Sequence, residues 1–277
     1  MLTSGISFVN FKKRNKSLKL RRNLQSIIND KNEILNSLSK NYKDSYKKNL
    51  ISKYKAFSNY RIIGMGGSIL GTRTIYEFLQ HKIKKNFLFI DNLQNTLSKS
   101  KKKTVNVIVS KSGNTIETIT NSNIIIKKNN RNIFVTENKK NYLYRLAENL
   151  KGEIVHHNNY IGGRYSVLSE VGMLPAELMG LKSKNFRQFN FLIKNRRFLN
   201  SLINNVGSIL YYIKNQKFNS IIISYDEKSE SLFKWYQQLV AESLGKKKKG
   251  LLPIVSNMPK DNHSVMQLYL DGFQNNF

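Results

Sequence analysis

The sequence predicts an α/β fold: a doubly wound parallel sheet preceded by helices and followed by an incomplete second α/β unit. Three observations carry this. From residue 60 short apolar runs alternate with amphipathic ones, and strand–helix alternation of that length gives a parallel sheet covered on both faces. Before residue 57 glycine and proline are nearly absent and apolar residues recur at helical spacing. Near residue 220 the alternation starts afresh and stops after two strands, below the usual size of a sheet.

In order, Leu24, Ile27, Ile28, Leu35 and Leu38 fall mostly three and four residues apart, so residues 1–56 read as a two-helix lead-in with one apolar face. Residues 57–182 read as the first unit. Its strands are the apolar runs 61–63, 87–90, 105–109, 133–135 and 153–155, and helices fill most gaps, for example around Ile75, Phe78 and Leu79 and over 142–146. Residues 166–215 read as mainly helical, with Pro175 as the one strong interruption. Residues 183–277 hold linking helices and the second unit, with strands at 221–223 and 251–255 and helices at 232–244 and 264–270.

Composition narrows the class. The 277 residues are 40% apolar and carry a formal net charge of +30. The charge fits a nucleic-acid or anionic-membrane partner. It fits equally a lysine-rich drift, because the basic residues are spread along the chain with short clusters only at Lys101–Lys103 and Lys246–Lys249. No nucleic-acid-reading motif accompanies them, so no specific nucleic acid is expected. No stretch approaches the length of a membrane span. Seven basic residues lie between Lys12 and Arg22 with no acid before Asp30, a pattern shared by transit peptides and solvated basic helices. The chain has no cysteine, which removes disulfides and thiolate chemistry and points to the reducing cytoplasm.

Ligands of open α/β sheets sit at the carboxyl ends of the strands, so the loops there are the candidates. The first, Gly64-Met65-Gly66-Gly67-Ser68-Ile69-Leu70-Gly71, follows a strand and opens a helix. Its glycines let backbone N–H groups converge on an anion, and Ser68 adds a hydroxyl that can also cap the helix. A dinucleotide fingerprint would need glycine where Ile69 stands, although Asp91 lies roughly where a ribose-binding acid would. The second loop, Ser110-Lys111-Ser112-Gly113-Asn114-Thr115-Ile116-Glu117-Thr118, brings three hydroxyls, an amine and a glycine within its first six residues to a helix start. Such a set suits a phosphate monoester, though serine and threonine are common in any turn. Read together, the two loops form one phosphate pocket with Ser68, Ser110, Lys111, Ser112 and Thr115 as ligands.

Three further stretches stand out. In Gly162-Gly163-Arg164 the glycines remove bulk and the arginine offers a fixed fork of donors to an anion or oxyanion; a turn with an exposed arginine explains it as well. In the helix around 232–244, Gln238 and Glu242 share a face, Gly245 reads as the C-cap, Lys246 as a partner of the helix dipole, and Glu242 on helix logic alone is an exposed carboxylate. His263 opens a predicted helix, where it can move protons near neutral pH or simply cap; His81, His156 and His157 read as structural.

In this order, the 64–71 loop, the 110–118 loop, Gly162-Gly163-Arg164-Tyr165-Ser166, Gln238-x-x-x-Glu242-Ser243-x-Gly245-Lys246 and Asn262-His263-Ser264 resemble the phosphoglucose isomerase family, built from two sugar-isomerase α/β domains. The resemblance runs from about residue 58 to the end. It implies interconversion of glucose 6-phosphate and fructose 6-phosphate through a cis-enediol, with no metal or organic cofactor, in a homodimer with shared active sites. It implies that the loop hydroxyls, Lys111 and the backbone at Gly67 and Gly163 hold substrate and that Gln238 positions it. It assigns Glu242 as the base that carries the proton, Arg164 as the stabiliser of the enediolate and His263, from the partner subunit, as the group that assists ring opening. Glu117 matches a family glutamate near that histidine. Complete members also supply a lysine near their C-terminus, and this sequence has no counterpart, so a C-terminally truncated chain with little turnover is expected. A non-catalytic sugar-phosphate-binding module and a basic nucleic-acid-binding protein are the alternatives.

Overall fold

The computed structural model describes residues 18–93, 103–127 and 130–277. Part of the basic stretch from Lys12 and most of the cluster at Lys101–Lys103 lie outside them. Among its described residues the lead-in has three helices, α1 (Leu18–Asn29), α2 (Glu33–Ser37) and α3 (Lys48–Tyr54), where the apolar spacing predicts two. The extra break has a local cause: the Asn32 side chain accepts the Leu35 N–H at 2.9 Å and starts a new helix within the periodic run.

Five strands, β1 (Asn59–Ile63), β2 (Asn86–Ile90), β3 (Thr104–Val109), β4 (Arg131–Glu137) and β5 (Glu153–His157), form one sheet in the order β2-β1-β3-β4-β5. Every pair is parallel. Four helices flank the sheet: α4 (Leu70–Leu79), α5 (Ile116–Ile125), α6 (Tyr142–Asn149) and α7 (Glu170–Leu178). Successive strand residues point to opposite faces, and both faces are apolar. Ile62, Val107, Val109, Ile133 and Val135 pack with Ile75 of α4 and with Met173 and Leu174 of α7. Their neighbours Ile63, Ile108 and Phe134 pack with Ile125, Leu143 and Ala147 of α5 and α6. Two-sided burial explains why these strands read as continuous apolar runs rather than alternating ones.

Pro175 does not interrupt the helix as predicted but lies inside α7. Proline lacks an N–H, which leaves the carbonyl four residues earlier without its helical partner. That carbonyl belongs to Val171, and the Thr72 hydroxyl donates to it at 3.2 Å.

The chain continues through α8 (Phe189–Leu192) and α9 (Arg196–Lys214) to a second sheet. There β6 (Asn219–Ser224) and β7 (Leu252–Asn257) pair in parallel, with α10 (Glu230–Leu244) between them in sequence and α11 (Met266–Asp271) after them. The tail lies along β6, where Ile221 donates to the Phe277 carbonyl at 2.9 Å and Phe277 to that of Asn219 at 3.0 Å. Helix α10 packs on both α4 and β7, so it joins the two sheets. It ends at Leu244, and Gly245 caps it by donating to Ala241 at 2.8 Å. Among the described residues no helix is long and apolar enough to cross a membrane.

Candidate active site

With strand order β2-β1-β3-β4-β5 the chain leaves β1 in one direction and β3 in the other, so the topological switch point lies between their carboxyl ends. The two predicted anion loops are the segments that leave those strands. After β1, residues Gly66–Ser68 form a 3-10 turn, and Gly66 adopts φ +51°, a conformation open to glycine at no steric cost. Helix α4 then starts at Leu70, behind Ile69 and with no side-chain cap. The expectation that Ser68 caps the helix is therefore corrected: the 3-10 turn places it one residue too early, which leaves its half-buried hydroxyl available to a ligand.

After β3, buried Ser110 and half-buried Thr115 share a hydrogen bond of 2.9 Å between their hydroxyl oxygens. Lys111 donates from Nζ to the Asn159 carbonyl at 2.6 Å, across the loop that leaves β5. Ser112 is exposed, and its Oγ accepts the Asn114 N–H at 3.3 Å. Of the predicted phosphate ligands in this loop, Ser110 and Thr115 are thus held together, whereas Lys111 is tied to a neighbouring loop.

Residues Gly163–Leu168 form a 3-10 turn. A Cβ on Gly67 would fall 2.4 Å from the Gly163 carbonyl carbon and 2.5 Å from the Arg164 nitrogen. The first anion loop and the arginine turn therefore touch backbone to backbone, and only glycine fits at the contact. The turn is tied down at both ends. Ser166 Oγ donates to the Gly163 carbonyl at 2.7 Å. Arg187, 2% exposed, donates to the Leu168 carbonyl from Nε at 3.1 Å and from Nη2 at 2.9 Å, while its guanidinium pairs with Asp44.

Arg164 reaches from this turn to α10. Its Nη1 lies 2.7 Å from Glu242 Oε1, and its Nε donates to Ser243 Oγ at 2.8 Å. The Arg164 carbonyl accepts Trp235 Nε1–H at 3.1 Å. One helical turn before Glu242, Gln238 donates from Nε2 to Glu242 Oε2 at 3.3 Å, and its own Oε1 is buried without a partner. A Cβ on Gly66 would lie 2.8 Å from Gln238 Nε2, so the first anion loop also abuts α10. Half of the Glu242 side chain is exposed, as helix logic expects, yet both of its oxygens accept hydrogen bonds.

Sequence reasoning gave no role to Ser243, Tyr165 or Trp235. Ser243 Oγ lies 2.7 Å from the Tyr165 hydroxyl, and the Arg164 guanidinium stacks over the Tyr165 ring at 4.6 Å. Burial alone would raise the Tyr165 pKa, but the Ser243 hydrogen bond and the Arg164 side chain outweigh it and bring it below the ordinary phenol value. The one signal in the sequence was spacing: Trp235 lies two helical turns before Glu242 on the same face.

The other predicted groups are elsewhere. His263 does not open α11 but ends a 3-10 turn, Lys260–His263, and is exposed. Asp261 holds that turn by accepting the Asn257 N–H at 2.8 Å and the Ser264 hydroxyl at 3.1 Å. Glu117 lies in the first turn of α5. Asp91 pairs with Arg73 at 2.9 Å, which engages the carboxylate a ribose would need. Gly66 and Gln238 also line a cavity of about 830 Å³ between α4 and α10, which does not include Arg164, Glu242 or Ser110. Among the described residues no group of three or more histidines and carboxylates is placed to hold a metal ion.

Comparison with known proteins joins these loops to one family. The chain is 38% identical over 249 residues to the glucose-6-phosphate isomerase of Methanocaldococcus jannaschii, covering 82% of this chain and 61% of that protein. It is 30% identical over 240 residues to that of Campylobacter jejuni, covering 78% and 58%. The chain thus spans about three fifths of the length of these relatives. Among solved structures, a hypothetical protein from Thermus thermophilus superposes with a TM-score of 0.73 at 23% identity over 94% of this chain and 68% of that one. Tagatose-6-phosphate ketose/aldose isomerase from Escherichia coli has the same fold at a TM-score of 0.53 and 14% identity, covering 91% and 66%. The family model for phosphoglucose isomerase matches residues 11–250, a span that includes both anion loops, Arg164 and the Gln238–Glu242 face, and on that match the chain belongs to the phosphoglucose isomerase family.

Proposed function

We propose that this chain carries the phosphate-binding and proton-transfer parts of a reversible isomerisation between glucose 6-phosphate and fructose 6-phosphate. The observation that carries the reading is the Arg164–Glu242 pair at 2.7 Å beside the switch-point loops. Ser68, Ser110 and Thr115, with the backbone at Gly67 and Gly163, would hold the phosphate, and Ser112 and Lys111 would complete the pocket once Lys111 leaves Asn159. In the open-chain aldose, Glu242 takes the proton from C2 and returns it to C1. A carboxylate suits this step because one group can accept and deliver the same proton. The developing charge on the sugar oxygen needs a fixed donor. Arg164, held at Nε by Ser243 and at its carbonyl by Trp235, supplies one. Gln238 steadies Glu242 and turns its unpartnered oxygen to a substrate hydroxyl.

The reading extends to a homodimer in which His263 of one copy completes the site of the other and assists ring opening, to residence in the cytoplasm, and to a division into a lead-in over 1–56, a first unit over 57–182 and a second over 183–277. Glu242→Gln tests the chemistry. It should leave binding of fructose 6-phosphate intact and abolish both turnover in a coupled assay and exchange of the C1 hydrogen with solvent. If the variant exchanges hydrogen at the wild-type rate, Glu242 is not the base. One observation favours a binding module instead: both Glu242 oxygens are already satisfied by Arg164 and Gln238. That reading gains if the wild-type chain binds fructose 6-phosphate but exchanges no hydrogen.

A further inference from the structure

Tyr165 follows Arg164 in the arginine turn and acts on it twice. Its ring lies under the guanidinium, with the Arg164 Cζ 4.6 Å from the ring centroid. Its hydroxyl lies 2.7 Å from Ser243 Oγ, the same oxygen that accepts Arg164 Nε–H at 2.8 Å. Two residues adjacent in sequence thus close a loop of contacts through one serine of α10. A serine hydroxyl that accepts from a guanidinium is polarised and donates more strongly in turn, which sets the direction from Arg164 Nε–H to Ser243 to the Tyr165 oxygen. The phenol behaves accordingly. Burial raises its pKa, but the Ser243 bond, the Arg164 side chain and the charge of Lys246 outweigh it, as expected for an oxygen that accepts.

These contacts decide how Arg164 presents its fork. Arginine is long and flexible, and a single bond from Nη1 to Glu242 would leave the guanidinium plane free to swing about that bond. Trp235 fixes the root of Arg164 at its carbonyl, while Ser243 at Nε and the Tyr165 ring on one face fix the tip. The corner left over is Nη2. It has no hydrogen-bond partner among the described residues, and it is not one of the unpartnered atoms sealed from water. The Arg164 side chain is 17% exposed, so an outside oxygen can reach that corner.

We propose that Tyr165 is a positioning residue: its ring and, through Ser243, its hydroxyl set the plane of the Arg164 guanidinium so that Nη2 is held open to a substrate oxygen while Nη1 stays with Glu242. The identity of that oxygen rests on the isomerase reading, in which it is the sugar oxygen where charge develops; the clamp on Arg164 does not. A donor already fixed in place needs no reorganisation when the charge appears. Loosening the clamp therefore lowers the rate and spares binding, because the phosphate loops do the holding.

Tyr165→Phe keeps the ring and removes the hydroxyl, and Tyr165→Leu removes both. The first readout is exchange of the Arg164 Nε–H with solvent, followed by 15N NMR, the resonance being identified by its loss in Arg164→Lys. Tyr165→Phe should speed this exchange about tenfold, the effect of one lost hydrogen bond, and Tyr165→Leu should speed it further. The second readout is hydrogen exchange at C1 of fructose 6-phosphate. In Tyr165→Phe its maximal rate should fall about tenfold while the half-saturating concentration stays within about twofold. In a Ser243→Ala background Tyr165→Phe should add nothing, because the hydroxyl acts through that serine. A Tyr165→Phe chain with wild-type Nε–H exchange would overturn the proposal. So would additive effects of Tyr165→Phe and Ser243→Ala, or a raised half-saturating concentration at unchanged maximal rate. If the wild-type chain exchanges no hydrogen at C1, the isomerase reading falls, and the Nε–H rates alone decide whether Tyr165 holds Arg164.

Discussion

Replacing Gly67 by alanine tests the contact on which the site depends. The new Cβ would lie 2.4 Å from the Gly163 carbonyl carbon and 2.5 Å from the Arg164 nitrogen, where ordinary contact begins at 3.4 Å. The shortfall is about 1 Å (3.4 less 2.4), and both atoms are backbone, so no side chain can swing away. The first anion loop and the arginine turn must separate. Overpacking of this kind costs about 1–3 kcal/mol. For an m-value of about 2–3 kcal/mol/M the urea midpoint falls by about 0.3–1.5 M. The functional effect should be larger. A displacement of about 1 Å at a reacting group can cost on the order of 100-fold in rate, and the separation moves Arg164 away from the phosphate loops. Urea unfolding followed by tryptophan fluorescence reports the first effect through Trp235, which is bonded to the Arg164 carbonyl. The rate of C1-hydrogen exchange in fructose 6-phosphate reports the second, and titration with fructose 6-phosphate reports the accompanying loss of affinity. Gly163→Ala is the control, because a Cβ there meets nothing within 4 Å. It should stay within about 0.5 kcal/mol of wild-type stability while crowding the approach of a ligand. A Gly67→Ala chain with unchanged midpoint and unchanged affinity would refute the backbone contact and the site built on it.

Other perturbations give distinct outcomes. Arg187→Ala leaves Asp44 unpaired and frees the Leu168 end of the arginine turn, so unfolding should become easier by about 3–5 kcal/mol in denaturant titration. For His157 the ordinary pKa of 6.5 in the unfolded chain exceeds the folded value of about 4. Between these values the unfolded chain binds more protons, so the contribution is complete above pH 6.5 and is lost as pH falls towards 4, about 3 kcal/mol in all. Glu170, with its raised pKa, acts in the opposite sense and subtracts from that loss. Unfolding curves taken across this range should show the dependence, and His157→Gln should flatten it. The net charge of +30 should give duplex-DNA retention at low salt that disappears at physiological ionic strength, as a filter-binding series would show; retention at physiological salt would favour the nucleic-acid reading.

Much of the architecture was legible because it depends on local pattern. All five strands of the first sheet were visible as apolar runs: β1, β3 and β4 because both their faces are largely buried, and the edge strand β2 because Phe87, Phe89 and Ile90 keep it apolar although Leu88 is exposed. The two loops that leave β1 and β3 were visible because glycine and hydroxyl residues follow those strands directly. Local rules failed where a distant atom intervened. Pro175 reads as a break, but Thr72, about a hundred residues earlier, satisfies the carbonyl that the proline frees. Ser68 reads as a cap, but the 3-10 turn before α4 displaces it. His157 reads as structural, and nothing in its neighbours shows that its nitrogens are buried without partners on a cavity wall.

Glu242 and Arg164 mark the boundary between the two kinds of knowledge. The sequence by itself determined the strand–helix alternation, the charge, the absence of thiol chemistry and the pairing of Gln238 with Glu242 on one helix face, because each follows from composition or from neighbours a few residues apart. Only the tertiary structure decided that α10 lies against α4, that Gly67 lets the arginine turn approach the first anion loop, and that Arg164 spans 78 positions to reach Glu242 while Ser243 and Trp235 hold it in place. Those contacts depend on how two sheets pack, and packing couples residues that no local rule compares.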